Sequence, residues 1–266
     1  MNDAPPLFDV DGAAFVPSVY TRSPWSPEFL HGGAAAALLA RATERHDVEI
    51  PMQIVRMTID LVRPVPVLPL TIDIRTIRPG GRVTVVGAEL IADGQVCARM
   101  TALRVRDDAV TIPAGTPLPP DPGPRPGPEE SGPHLSEWSF EAFHTHGCEV
   151  RYARGGWLEA GPAFAWIRLR KPVIAGESPS PVQRLVAAAD SGNGVSAALP
   201  FDRWLFLNPD VSVHIERKPV GEWIGLDAVT RLSDRGAGAT TSGLFDEQGR
   251  VGVGVQHLLL QQRSEV

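Results

Sequence analysis

Three residues of this chain carry side chains and positions that could do chemistry: Asp190, Asn208 and Gln256. A carboxylate can carry charge or take a proton, and each amide both donates and accepts, so together they could orient and activate a water molecule. A duplication singles them out. Met57, Ile59 and Leu61 alternate with Thr58 and Asp60 before Arg63-Pro64, and Val211, Val213 and Ile215 alternate with Ser212 and His214 before Arg217-Lys218-Pro219, an offset of 217 − 63 = 154. Ser26-Pro27 and Ser180-Pro181, again 154 apart, are each expected to open a small-residue helix, and the turn Asp93-Gly94 recurs at Gln248-Gly249 with a shift of 155. Two copies of one subdomain follow.

The repeat is its own control. Residues that serve only the fold should match between copies, whereas chemistry should show as an unmatched polar side chain. At offset 154 Asp190 falls on Ala36 and Asn208 on Ile54, and at 155 Gln256 falls on Thr101. The first copy has its own peculiarity, His31-Gly32-Gly33, where the second carries Leu185, Val186 and Ala187. Each half holds something the other lacks, which points to a site drawing on both.

These residues need elements to place them. Gly32 to Arg45, rich in alanine and leucine, predicts a slim helix able to lie close against a sheet. Strand patterns follow at Ile54 to Val62, Leu70 to Ile77, Arg82 to Ile91 and Gln95 to Arg104, the last two joined by Ala92-Asp93-Gly94. Between Pro113 and Pro133 lie nine of the 26 prolines, the composition of a linker. Beyond it, Glu149 to Ala153 and Ala163 to Leu169 read as strands and Pro181 to Asp190 as a helix, with four further strands from Asp210 to Gln261. The expected organisation is a subdomain over 1–112, a linker over 113–133 and a second subdomain over 134–266, each a helix with an antiparallel meander, an α+β fold.

Composition narrows the function. With 266 residues and 43% hydrophobic content the chain can bury a continuous core. Acidic residues outnumber basic ones 31 to 25, and the net charge of −6 gives no footprint for nucleic acid or an anionic membrane. No stretch approaches the roughly 20 apolar residues that span a bilayer, and no secretory leader opens the chain, so a soluble cytoplasmic protein without membrane insertion is expected. Cys97 and Cys148 are expected as reduced thiols. His144-Thr145-His146-Gly147-Cys148-Glu149, read as a strand, would put alternate residues on one face as metal ligands, but without a second ligand cluster no metal is expected.

Phe29-Leu30-His31-Gly32-Gly33 before the Ala-rich helix, Asp190-Ser191-Gly192-Asn193 ending the second helix, Val220-Gly221-Glu222-Trp223, and Gly254-Val255-Gln256 together resemble bacterial type II acyl-CoA thioesterases and their thioesterase-like relatives. The resemblance covers nearly the whole chain. It implies a tandem hotdog, with antiparallel sheets wrapped round a central helix in each half, and hydrolysis of acyl-CoA without a cofactor. It also implies acyl-CoA as partner and a homo-oligomer, a dimer of double hotdogs. In that family the acting residues are an Asp on the second helix, a hydroxyl residue on the next strand and a Gln on the last strand. They fall here on Asp190, Asn208 and Gln256, with Ser212 as the alternative for the hydroxyl position. A thioester needs only a positioned water, a base and a place for the oxyanion. Asp190 is expected as base, Asn208 and Gln256 as holders of the water, and the N–H groups around Gly32 and Gly33, with His31 beside them, as the substrate-binding helix start.

Plainer roles stand beside these: Asp190 as a helix-end residue, Asn208 before Pro209 as a turn residue, and His31 as a cap. Trp25, Trp157, Trp166, Trp204 and Trp223 could border an acyl tunnel or pack the core. Medium or long acyl-CoA thioesterase activity is the expected function. A non-catalytic acyl-CoA-binding protein is the alternative. A hotdog hydratase would want a histidine about five residues from the Asp, and none follows Asp190.

Overall fold

The computed structural model describes residues 5–47, 49–117, 126–132, 140–157 and 159–263. Parts of the linker, 118–125 and 133, therefore lie outside the described residues. In chain order the elements are β1 (Phe8–Asp11), β2 (Ala14–Pro17), α1 (Gly32–Arg45), β3 (Met52–Leu61), β4 (Leu70–Arg78), β5 (Val83–Ala92) and β6 (Gln95–Arg106). After the linker come β7 (Cys148–Arg154), β8 (Ala163–Leu169), α2 (Pro181–Ala189), the short α3 (Gly192–Val195), β9 (Trp204–Leu207), β10 (Asp210–Ile215), β11 (Ile224–Leu232), β12 (Ala237–Asp246) and β13 (Gly249–Gln262).

The strands run in the order β1-β2-β4-β5-β6-β3 and continue as β10-β13-β12-β11-β8-β7, with β9 on β13. The second half is the first in reverse, and the two meet edge to edge at β3 and β10. The result is a tandem hotdog whose two sheets are one continuous antiparallel sheet. Thr58 pairs with Ser212, its own repeat at offset 154, so a local twofold axis passes through that pair. The two hydroxyls hydrogen-bond at 3.2 Å.

Strand pairing corrects one expectation. Met57 opposes Ala102 and Thr58 opposes Thr101, while Ser212 opposes Val255, so Gln256 is the counterpart of Ala102 and not of Thr101. Each half has a bulge in the same hairpin, at Leu90/Ile91 and Leu244/Phe245, and the offset holds at 154 through both. The shift of 155 matched the wrong glycine: Asp93-Gly94 answers Glu247-Gln248.

The helices lie inside the curve of the sheet and against each other, antiparallel. Ala34 to Ala40 of α1 are all buried, as are Leu185 to Ala189 of α2. A Cβ on Gly33 would stand 2.4 Å from the carbonyl of Ala187, its own counterpart, so glycine lets the helices touch at the axis. Ser180 caps α2 through Gln183 N, with Pro181 in the first turn. The first copy departs here: Ser26-Pro27 sits in a turn and α1 starts at Gly32 with His31 as N-cap. The far ends are tied by Glu44, which accepts from Ser180 Oγ and Gln183 Nε2, and by Arg41 on Glu177.

Both outer strands are covered, which blunts edge-to-edge association. Leu7, just ahead of β1, and Phe8 of β1 donate to the carbonyls of Pro172 and Val173, and Gly132 from the linker donates to that of Tyr152 of β7. Residues 143–147 form one helical turn ahead of β7, so the His144 to Glu149 run is not a strand with a shared face. No helix among the described residues is long and apolar enough to cross a membrane.

Candidate active site

Where α2 ends, the second copy departs from the first. Leu38, Leu39 and Ala40 continue α1 as buried apolar residues, and their counterparts are Gly192, Asn193 and Gly194. The sheet beneath changes to match: Val86, Ala88 and Ala102 become Thr240, Ser242 and Gln256, all buried. A Cβ on Gly192 would lie 2.7 Å from both Gln256 Oε1 and Ser242 Oγ, so this polar floor holds the chain down where helical geometry breaks. Gln256 Nε2 donates to the Asp190 carbonyl at 2.9 Å, and its Oε1 accepts from Asn193 N at 3.2 Å. Asn193 in turn donates to the Phe206 carbonyl at 3.0 Å. Gln256 thus closes the frayed end of α2 and fixes the backbone of Asp190.

The Asp190 side chain, 3% exposed, is at the junction of three segments. Asn208 Nδ2, between β9 and β10, donates to its Oδ1 at 2.7 Å. His31 Nδ1, at the head of α1, lies 2.9 Å from its Oδ2 and 3.0 Å from Gly33 N. Gly33 N–H is aimed at this same Nδ1 edge, yet a lone pair there would also face the carboxylate 2.9 Å away. Repulsion from a buried anion outweighs one neutral hydrogen bond, so we assign the proton to Nδ1, donated to Asp190. Burial alone would raise the pKa of Asp190, but the hydrogen bond and charge of His31, with Asn208 and Gly33, outweigh it and hold the carboxyl group below the ordinary Asp value. Asp190 is ionised at neutral pH.

Glycine at position 32 serves this carboxylate directly: an added Cβ would stand 2.7 and 2.8 Å from its two oxygens. As the first residue of α1, Gly32 also has its N–H ahead of the intrahelical ladder, at the positive end of the helix dipole. Gly33 does not line the cavity, and its N–H is directed at His31 Nδ1. Ser212 uses its hydroxyl on Thr58, so Asn208 is the residue that meets Asp190.

Asp190, His31, Gly32 and Asn208 line one cavity of about 490 Å³. Gln256 and Gly33 support it from behind without lining it. Leu30, Val65, Ile167 and Leu207 give the cavity apolar walls. Aromatic rings form another wall. Trp25 stacks on Phe201 at 5.4 Å, Phe201 on Trp157 at 5.3 Å, and Trp157 on His144 at 5.5 Å. Trp166 and Trp223 are elsewhere, in a separate cluster with Phe164 and Phe245, and Trp204 is on β9 outside the lining. Sequence reading missed Phe201, Asn193 and the Thr240–Ser242 floor. Only the copy-to-copy substitution of polar for apolar residues could have found the last two.

A buried anion at the end of an apolar cavity, beside a helix N-terminus, suits water attack on a carbonyl whose acyl group fills the cavity. Residues 21–105 match the family model for the acyl-CoA thioesterase N-terminal domain, and residues 113–260 match that for the acyl-CoA thioesterase C-terminal domain. No curated protein sequence matches the chain significantly. Among solved structures, a hot dog fold protein from Alicyclobacillus acidocaldarius is similar with a TM-score of 0.69 at 16% identity, over 97% of this chain and 96% of that one. An acyl-CoA thioesterase II from Mycobacterium marinum is similar with a TM-score of 0.62 at 18% identity, over 99% and 96% of the two chains. At these identities the structures speak for the fold, while the paired domain matches carry the family: the chain belongs to the acyl-CoA thioesterases.

Proposed function

We propose that the chain hydrolyses medium or long acyl-CoA thioesters to free acid and CoA, using a water held at the Asp190 cluster and no metal or other cofactor. One observation supports this above the rest. The ionised Asp190 carboxylate is buried at the end of an apolar cavity, with partners drawn from both copies. The apolar and aromatic walls suit an acyl chain. Asn208 spends Nδ2 on Asp190, so its amide oxygen is the acceptor it offers to a water. Gly32 N–H is the donor proposed for the developing oxyanion, where a helix N-terminus supplies charge stabilisation without reorganisation. Gln256 acts through the Asp190 backbone, as a positioning residue.

The experiment is thiol release from a panel of acyl-CoAs, short to long, with and without chelator. Release that peaks at medium or long chains and survives the chelator is expected. Tight acyl-CoA binding with no release would establish the non-catalytic alternative, and activity lost to chelator and restored by zinc would overturn the metal-free site.

A further inference from the structure

Both oxygens of Asp190 are already hydrogen-bonded, one by His31 and the other by Asn208. A carboxylate so satisfied is a poor proton acceptor. His31 is differently placed. Its Nδ1 is taken by Asp190, its ring packs against Phe143 at 4.8 Å, and its side chain lines the cavity at 12% exposure. Among the described residues no protein group takes Nε2. One ring nitrogen is therefore oriented by a buried carboxylate from the other copy, and the second is left to the cavity. That is the arrangement in which an imidazole works as a general base while the carboxylate fixes its tautomer and stabilises the imidazolium.

We infer that His31 Nε2 is the proton acceptor for the attacking water, with Asp190 as the residue that positions and charges it; this rests on the thioesterase reading above. Water oxygen bonds to the thioester carbonyl carbon, the carbonyl π pair moves to oxygen, and one water proton passes to Nε2. The tetrahedral intermediate then re-forms the carbonyl and breaks the C–S bond, and the leaving thiolate takes the proton from Nε2, giving the acid and CoA thiol. No other reactant is needed. The groups on every side are accounted for: Asp190 from the end of α2 and Asn208 through it, Phe143 and His144 from the turn before β7, and Arg63 after β3. His144 and Arg63 are the remaining titratable side chains of the cavity lining.

The test is the pH dependence of kcat/KM from about pH 5 to 9 with octanoyl-CoA and dodecanoyl-CoA, for the wild type, His31→Asn and His144→Asn. Asparagine places Nδ2 where Nδ1 stood, so it keeps the donor to Asp190 and removes Nε2. Wild type should show a one-proton acid limb, His31→Asn should lose ~10²–10⁴-fold together with that limb, and His144→Asn should keep the limb. With Asp190 as the base, held below the ordinary Asp value, no limb would fall within the assayed range. Should His31→Asn fail to fold, His31→Ala assayed with added imidazole decides, since rescue should track the unprotonated fraction of the buffer. Wild-type hydrolysis with no acid limb, or a His31→Asn rate within threefold of wild type, overturns the inference and leaves the thioesterase reading standing. A wild type that releases no thiol from any acyl-CoA overturns that reading first.

Discussion

Replacing Gly32 by alanine should damage the site more than its size suggests. On the unmoved backbone the new methyl would stand 2.7 Å from Asp190 Oδ1, 2.8 Å from Oδ2 and 2.9 Å from Cγ, whereas ordinary contacts begin at 3.4 Å. Relief requires the carboxylate to retreat by about 0.7 Å, the difference between those distances. Its bonds to His31 and Asn208 are 2.9 and 2.7 Å long, so the retreat stretches at least one of them out of range. Losing one hydrogen bond to a charged group costs about 1.5–3 kcal/mol. Alanine in a helix returns roughly 0.5–1 kcal/mol relative to glycine. The net is a loss of about 1–2 kcal/mol, a few degrees in Tm for a chain of this size. Turnover should fall about 100-fold, the usual consequence of displacing reacting groups by an ångström or less. The measurement is thermal unfolding and thiol release for Gly32→Ala, Asp190→Ala and the double variant. In the Asp190→Ala background the methyl meets no carboxylate, so Gly32→Ala should there become neutral or stabilising. Equal destabilisation in both backgrounds, or wild-type turnover in Gly32→Ala, would refute the clash.

Two further outcomes follow from the titrating groups. The folded-state pKa of Asp190 lies below its ordinary value of 3.8, so the stability it contributes is full above that value and is lost as pH falls through the lower, folded one. The stability gap between wild type and Asp190→Asn in urea should therefore be constant from pH 7 to about pH 5 and close below about pH 4; a gap that widens on acidification would reverse the sign assigned to this carboxylate. Cys148 is buried with its pKa pushed up to about 12, and Cys97 is buried and raised too, both chiefly by desolvation. A thiol reagent should accordingly find no free thiol in the native protein at pH 8 and two after unfolding, and rapid native labelling of either cysteine would contradict that burial.

Much of the fold was legible because the chain states it twice. Helix α1 and strand β8 fall where alanine content and apolar patterning put them, and most other strands within two residues. The N-terminal hairpin of β1 and β2 gave no such signal, since Phe8–Asp11 is short and has its exposed residues in sequence, Asp9 to Asp11. Asp190, Asn208 and Gln256 were legible as unmatched polar residues, and Gln256 survives even though its counterpart is Ala102. Their division of labour was not legible. That Gln256 holds backbone, and that His31 meets the carboxylate, depends on where α2 stops. Spacing cannot show that stop, because the same offset in α1 runs on as helix.

The local twofold axis gives this site a twin, and the twin has been filled. Applying the offset of 154 turns Asp190 into Ala36, His31 into Leu185 and Asn208 into Ile54, and these three counterparts are 1%, 0% and 8% exposed. A carboxylate buried as Asp190 is survives only when its lone pairs are taken, which here needs donors from the head of α1 and from the segment before β10. Those donors converge because the antiparallel helices bring the start of one to the end of the other. At the opposite end the same meeting of helix termini is spent on Glu44 with Ser180 and Gln183, a tie between the halves. Two symmetric copies would offer two equivalent half-built pockets. Packing one with leucine, isoleucine and alanine stabilises the joint, and the desolvation cost of a buried anion is then borne at one place, where His31 and Asp190 face each other across the two halves.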